Sequence, residues 1–192
     1  MIAIVKYNAG NSRSVANAIK RLGYEVEITD SSERLNSAEK IILPGVGEAS
    51  CAMKYLRERN LDLLLASLKK PVLGICLGMQ LMCKWSEEGN TYGIGIFETS
   101  VKKFNGQIRI PHTGWNNLTG SEGPLFDGIK PADNFYFVHS YYAGICNQTV
   151  AVCDYSISFS AAMAKDNFYG TQFHPEKSSV TGMKILKNFL EL

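Results

Sequence analysis

The sequence predicts an α/β protein: a three-layer α/β/α domain on a central, mostly parallel sheet, with antiparallel strands in its C-terminal half. Three observations predict it. Several short runs, Ile2-Ala3-Ile4-Val5 and Val72-Leu73-Gly74-Ile75 among them, are apolar without alternation, as strands are when both faces of a sheet are covered. Between these runs apolar residues recur at helical spacing. Beyond about residue 95 that spacing gives way to closely set strand candidates.

Residues 2–5 form the first expected strand, followed by a turn at Asn8-Ala9-Gly10-Asn11. Val15, Ala16, Ile19 and Leu22 then lie on one helical face, and Gly23 supplies a C-terminal stop. Residues 26–29 and 40–43 are strands, the latter ended by Pro44-Gly45. Residues 48–68 read as one helix with Met53, Leu56, Leu63, Leu64 and Leu68 inward. The strand 72–75 leads through Cys76-Leu77-Gly78 into a helix carrying Met79, Leu81 and Met82. Strands are expected at 95–104, 108–111, 135–141, 150–153, 160–164 and 169–174, and a last helix at about 179–190. No repeat, low-complexity tract or linker divides the chain, so residues 1–192 are expected to form a single domain.

Composition narrows the function classes. The formal charge is +2 and the basic residues are scattered, which argues against a nucleic-acid groove or an anionic-membrane patch. The start is too short for a secretory apolar region, and no stretch approaches the roughly 20 apolar residues of a membrane span. A soluble, cytoplasmic protein is expected. The five cysteines include no C-x-x-C pair and only three histidines accompany them, so no metal site is expected. Reduced thiols are the default. No phosphate-binding P-loop motif is present.

Three motifs carry chemistry. Gly74-Ile75-Cys76-Leu77-Gly78 places a cysteine on a sharp strand-to-helix turn, where flanking glycines relieve crowding and a helix N-terminus favours thiolate. The N–H of Leu77 can then face a developing oxyanion. By itself the motif fits a packed structural cysteine at least as well. His174-Pro175-Glu176 sets an imidazole and a carboxylate two residues apart, on the same side if the backbone is extended, as a base and its orienting acid. Pro175 puts the pair at a strand end or edge. Pro44-Gly45-Val46-Gly47 closes a buried strand with glycines whose N–H groups can approach a ligand. Each alone has a plain structural explanation; together they read as nucleophile, base and oxyanion donors.

The residues 73–80, Leu-Gly-Ile-Cys-Leu-Gly-Met-Gln, and 170–178, Gly-Thr-Gln-Phe-His-Pro-Glu-Lys-Ser, resemble the two signatures of class I (triad) glutamine amidotransferases. Residues 44–47, 111–116 and 137–142 further resemble the glutaminase subunits of imidazole glycerol phosphate synthases, over essentially the whole chain. The resemblance implies a flavodoxin-like amidotransferase fold, no cofactor, and Cys76, His174 and Glu176 as catalytic triad. It implies Gly47 and Leu77 as oxyanion donors, the former after a peptide flip induced by a partner. Gln80, Glu88, Ser140 and Tyr141 are implied to hold the substrate glutamine, with Glu87 adjacent to Glu88 as an alternative. Asn11, Trp115, Asn116, Tyr136 and Lys177 are implied at the interface and ammonia exit towards a separate (β/α)8 cyclase subunit, which this chain is too short to contain. For each of those five a generic polar or core role stays open, and Trp115 could be buried mass. The chain departs from the family at Lys6 and Asn8, where an acidic residue and a glycine are usual.

The activity so implied is hydrolysis of glutamine to glutamate and ammonia, the ammonia feeding synthesis of imidazole glycerol phosphate and AICAR in histidine biosynthesis. Three other readings stand beside it: a paralogue serving a different synthase, such as one forming an amidine on a nucleotide sugar; a stand-alone hydrolase with a Cys-His-acid triad; and a non-catalytic scaffold. His112 and His139, which lack a carboxylate two residues away, read as structural or interface residues, and Cys51, Cys83, Cys146 and Cys153 as packing thiols.

Overall fold

The computed structural model of the chain describes residues 1–7 and 11–192, so the expected turn at Asn8-Ala9-Gly10 lies outside the described residues. The first half runs β1 (Ile2–Val5), α1 (Ser12–Arg21), β2 (Val26–Thr29), α2 (Ser32–Ser37), β3 (Lys40–Leu43), α3 (Ala49–Glu58), α4 (Leu61–Ser67), β4 (Val72–Ile75) and α5 (Leu77–Leu81). The second half holds β5 (Cys83–Ser86), β6 (Thr91–Tyr92), β7 (Phe97–Lys103), β8 (His112–Asn117), β9 (Asn134–His139) and β10 (Tyr141–Ala143). It ends with β11 (Thr149–Tyr155), β12 (Ile157–Lys165), β13 (Phe168–Thr171) and α6 (Ser179–Glu191).

The central sheet has the order β11-β12-β13-β4-β3-β1-β2. β2, β1, β3, β4 and β13 are parallel, while β12 and β11 return antiparallel at one edge. Each face is covered, which is why β1, β3 and β4 at its centre read as nearly unbroken apolar runs. Ala3, Val5, Ile41, Leu43 and Val72 point to the side packed by Met53, Leu56, Leu61 and Leu65 of α3 and α4. Ile2, Ile4, Ile42, Leu73 and Ile75 point to the other, against Val15 and Ile19 of α1 and Ile185, Leu186 and Phe189 of α6. The three layers follow from that alternation. A smaller sheet, β10-β7-β5-β6, and the β8–β9 hairpin flank the main one.

The structure departs from the sequence reading at several elements. The helix expected over 48–68 is two, because Asn60 takes the left-handed conformation at φ 54°, which asparagine tolerates better than most residues. The short helix α2 gives no signal in the sequence: only Leu35 of it is buried, so it has no apolar period, and Ser31 Oγ caps it by accepting from the Arg34 N–H at 3.3 Å. Residues 108–111 form no strand; the strand begins one residue later, at His112. The run expected at 135–141 is interrupted at Ser140, and that expected at 169–174 ends at Thr171. β5 and β6 likewise lie outside the expected strands. Among the described residues no helix is long and apolar enough to cross a membrane.

The strand ends β3 and β4 meet α5 with no space to spare. A Cβ on Gly78 would lie 1.8 Å from the carbonyl oxygen of Leu43, a clash with backbone rather than with a movable side chain. We therefore expect Gly78→Ala to lower folding stability by about 2 kcal/mol or more, as overpacking does. Urea denaturation followed by circular dichroism measures it, and an unchanged midpoint would show that the strand end yields.

Candidate active site

The β4–α5 junction presents Cys76 at φ 54° and ψ −109°, a conformation that costs a non-glycine residue about 1–3 kcal/mol. The surroundings hold it there. The Cys76 N–H donates to the Thr171 carbonyl on β13 at 2.7 Å. Gly74 lets the helix fold back tightly, since a Cβ there would sit 2.7 Å from the Met79 nitrogen. The consequence is a sulfur placed at the first turn of α5, beyond the C-terminal end of β4, where open parallel sheets bind their ligands.

His174 reaches the same point from β13. Its N–H donates to the Tyr136 carbonyl at 2.9 Å, and its Nδ1 lies 2.8 Å from Glu176 Oε1. The extended backbone expected for His174-Pro175-Glu176 is not found. Residues Pro175–Lys177 form a 3-10 turn, and that turn brings the carboxylate beside the ring. Pro175 suits the turn because its missing N–H is not needed at the first helical position. Ser178 fastens it, donating from Oγ to the His174 carbonyl at 2.7 Å and accepting from the Tyr136 N–H at 2.9 Å. Asn11 Nδ2 donates to the same Glu176 Oε1, so the carboxylate is fixed from two sides.

Both side chains are wholly buried, and among the described residues His174 Nε2 and Glu176 Oε2 have no hydrogen-bond partner. Burial alone would drive the imidazole neutral. The charge of the Cys76 sulfur and the hydrogen-bonded Glu176 carboxylate outweigh it, and the His174 pKa rises to about 10. His112 and His139 show the opposite case. Burial takes His112 to about 4 and His139 to about 3. His139 Nδ1 lies 2.7 Å from the Tyr141 carbonyl, which can only accept, so that nitrogen carries the proton. His139 Nε2 is then an acceptor and takes a hydrogen bond from His112 Nδ1 at 3.0 Å. The two are neutral residues of the aromatic core around Phe104, Phe137 and Phe159 rather than interface residues.

A cavity of about 310 Å³ opens on the sulfur. Its lining includes Gly47, Cys76, Leu77, Gln80, Glu88, Ser140 and Tyr141, together with Val46, Val138 and His139. Glu88 rather than Glu87 faces it: Glu88 accepts from the Ala49 N–H at 2.9 Å, while Glu87 turns away to the Lys103 N–H at 2.7 Å. Burial raises the Glu88 pKa. A larger, more open depression of about 610 Å³ lies beside β2, lined by Met1, Lys20 and Tyr24, with no comparable grouping of reactive side chains. Among the described residues no three His, Cys, Asp or Glu side chains gather as metal ligands.

A family model described as glutamine amidotransferase class-I matches residues 3–192. The chain belongs to the class I glutamine amidotransferases. A protein of Bacteroides fragilis (strain YCH46) named imidazole glycerol phosphate synthase subunit HisH is 53% identical over 194 residues, spanning 100% of this chain and 99% of that one. A Haemophilus influenzae (strain KW20) protein of the same name is 46% identical, over 99% and 96% of the two chains. Among solved structures, PurLQS from Thermotoga maritima contains a chain that superposes with a TM-score of 0.76 at 16% identity, covering 99% of this chain and 97% of its own. That likeness bears on the fold.

In this amidotransferase the remaining expected residues fall in different settings. Asn11 is buried on Glu176. Trp115 is not buried mass: it is 55% exposed and meets the Tyr136 ring edge-on across the β8–β9 hairpin, with centroids 5.9 Å apart. Asn116 is spent on the Asp154 carbonyl at 3.1 Å, and Lys177 is exposed. Of the supposed packing thiols Cys83 and Cys153 are buried and Cys146 half-buried, but Cys51 is exposed. Gln172 and Ser178 are not singled out by the sequence; both are fully buried polar residues within the second signature, and buried polar side chains need partners.

The raised His174 pKa has a sign. A proton held to about pH 10 in the fold, against about 6.5 for a free histidine, contributes stability that is fully present below about pH 6.5. It is lost as pH rises through about 10. The difference in urea midpoint between the natural chain and His174→Gln should therefore shrink over that window; a constant difference would show that the ring is neutral throughout.

Proposed function

We propose that this chain is the glutaminase subunit of an imidazole glycerol phosphate synthase, a cytoplasmic enzyme in which ammonia released here passes to a (β/α)8 cyclase subunit for imidazole glycerol phosphate and AICAR formation. The observation that carries the reading is the buried His174–Glu176 pair set against a strained cysteine at the floor of a cavity, in a chain 53% identical end to end to proteins of that name.

Cys76 is the nucleophile. Its thiolate attacks the side-chain amide carbon of glutamine, and the imidazolium of His174 gives its proton to the departing ammonia. The same ring then takes a proton from the water that hydrolyses the glutamyl thioester, so one base serves both halves. Glu176 holds the ring's tautomer and supports its charge. Glu88, at the cavity wall, is the anion for the α-ammonium group of glutamine.

The oxyanion of the tetrahedral intermediate needs donors beside Cys76. Leu77 N–H is positioned for this at the first turn of α5, but it donates to the Gly45 carbonyl at 3.4 Å. Gly47, at φ 119° with open space where a Cβ would be, is free to reorient. A flip in the turn 44–47 would withdraw the Gly45 carbonyl and supply a second N–H. Docking of the cyclase on the Trp115–Tyr136 face is the proposed trigger, and unassisted turnover is accordingly low.

Glutamate formation from glutamine tests the reading. Cys76→Ala should abolish it, and purified cyclase with its ligand should raise it strongly. Activity indifferent to Cys76 would end the mechanism; Cys76-dependent activity that ignores the cyclase would point to another acceptor enzyme. Glu88→Gln should raise KM by about 10–100-fold, the worth of a charged hydrogen bond, with Glu87→Gln near the natural value. Trp115→Ala should weaken cyclase binding by about thirtyfold in calorimetry, as loss of an aromatic anchor does.

A further inference from the structure

Gln172 lies between the end of β13 and His174 with no exposure to solvent, and its side chain is not explained by packing. Its Nε2 donates to Cys76 Sγ at 3.6 Å. Its Oε1 accepts from Gln80 Nε2 at 2.8 Å, and that same nitrogen donates to the Tyr141 carbonyl at 2.8 Å. The Tyr141 carbonyl also receives His139 Nδ1 at 2.7 Å, so both its lone pairs are filled.

The direction of this chain is forced from one end. A main-chain carbonyl can only accept, so Gln80 must turn its NH2 group to Tyr141. The second hydrogen of that group then faces Gln172, which must answer with oxygen. With its oxygen committed, Gln172 has only its NH2 group to offer the sulfur. Neither amide can be reversed alone without setting two acceptors (Gln80) or two donors (Gln172) against each other, at the cost of a buried unsatisfied group.

We infer that Gln172 is a positioning residue for the nucleophile, a fixed N–H donor that favours negative sulfur and ties its position to the Ser140-Tyr141 wall of the substrate cavity. Hydrogen bonding to the charged form of a group favours that form, and a sulfur so held cannot turn away from His174. The imidazole and the amide act from separate sides: His174 supplies charge and takes the proton, Gln172 supplies a neutral donor that keeps no proton of the reaction. Because Gln80 and Tyr141 belong to the cavity wall, a ligand that shifts this wall shifts the donor on the sulfur. The inference rests on the reading of Cys76 as nucleophile.

The test separates the two. Alkylation of Cys76 by iodoacetamide, followed by peptide mass spectrometry so that exposed Cys51 is counted apart, needs neither glutamine nor cyclase. Gln172→Met fills nearly the same volume without a donor. We expect it to slow Cys76 alkylation at pH 7 roughly five- to tenfold, the effect of one hydrogen bond, and to move the half-maximal rate to higher pH. With the cyclase present, kcat should fall and KM for glutamine stay near the natural value. An unchanged alkylation profile beside a lost kcat would overturn the inference, because mere packing would act that way; so would a change confined to KM. Should Gln172→Met fail to fold, Gln80→Met frees the Gln172 amide to reverse and should move the alkylation profile in the same direction, and no movement there overturns the inference equally. Failure of the glutaminase reading shows separately, as glutamate formation that survives Cys76→Ala.

Discussion

The site depends on one backbone constraint, the left-handed conformation of Cys76 between β4 and α5. A cysteine left to itself would not take φ 54°. It is held because three neighbours leave no alternative: the Thr171 carbonyl takes its N–H, Gly74 lets α5 fold back on the strand, and Gly78 lets that helix touch the end of β3. Five parallel strands fix those neighbours to each other. A sheet covered on both faces is thus the condition for the turn, and the turn sets where the sulfur lies.

The electrostatics follow from what stands next to each buried group rather than from burial itself. Three histidines occupy the same interior, and all three are penalised by desolvation. His112 and His139 face rings, a carbonyl and each other, with the His174 charge also acting against His139, and they stay neutral. His174 faces a sulfur and a carboxylate, and it keeps its proton. The Cys76 sulfur, together with the carboxylate delivered by a 3-10 turn, makes the difference. Asn11, at the N-terminus of α1, holds that carboxylate in turn, so the start and the end of the chain meet on Glu176.

The sequence is most legible where chemistry and packing demand the same thing. The strands at 2–5, 26–29, 40–43 and 72–75 are found with those bounds; for β1, β3 and β4 the reason is that a strand buried on both faces has little choice of residue type, while β2 is a half-buried edge strand. The glycines around Cys76 are readable for a similar reason: a close backbone approach admits nothing else. Legibility fails where a partner distant in sequence decides. Asn60 breaks a helical period that continues on both sides of it. β5, β6 and β8 exist by pairing across small sheets: β5 and β6 are short, and β8, His-Thr-Gly-Trp-Asn-Asn, alternates in burial but is mostly polar, so none announces a strand. Glu176 reaches His174 through a turn, whereas spacing alone suggests extended backbone. Gln172 sits inside the second signature without a signal of its own, since nothing in one sequence says that an amide 96 positions from a cysteine will touch it.

The two halves of the site are in different states. On one side the Cys76 sulfur, the His174 imidazole, the Glu176 carboxylate and the Gln172 amide lie together, linked by hydrogen bonds. On the other, the proposed oxyanion donor Leu77 N–H faces the Gly45 carbonyl, and Tyr7 Oη, buried and with its pKa raised, donates to the Pro44 carbonyl of the same turn. These two bonds hold the turn 44–47 in the conformation in which, on the proposed mechanism, the hole is closed. A donor lost from an oxyanion hole costs about 100–1,000-fold in turnover, far more than a modest misplacement of a base that is already bonded. On the proposed mechanism the barrier to turnover therefore lies in the glycine turn rather than in the triad, and a partner that stabilises the flipped turn would control the release of ammonia.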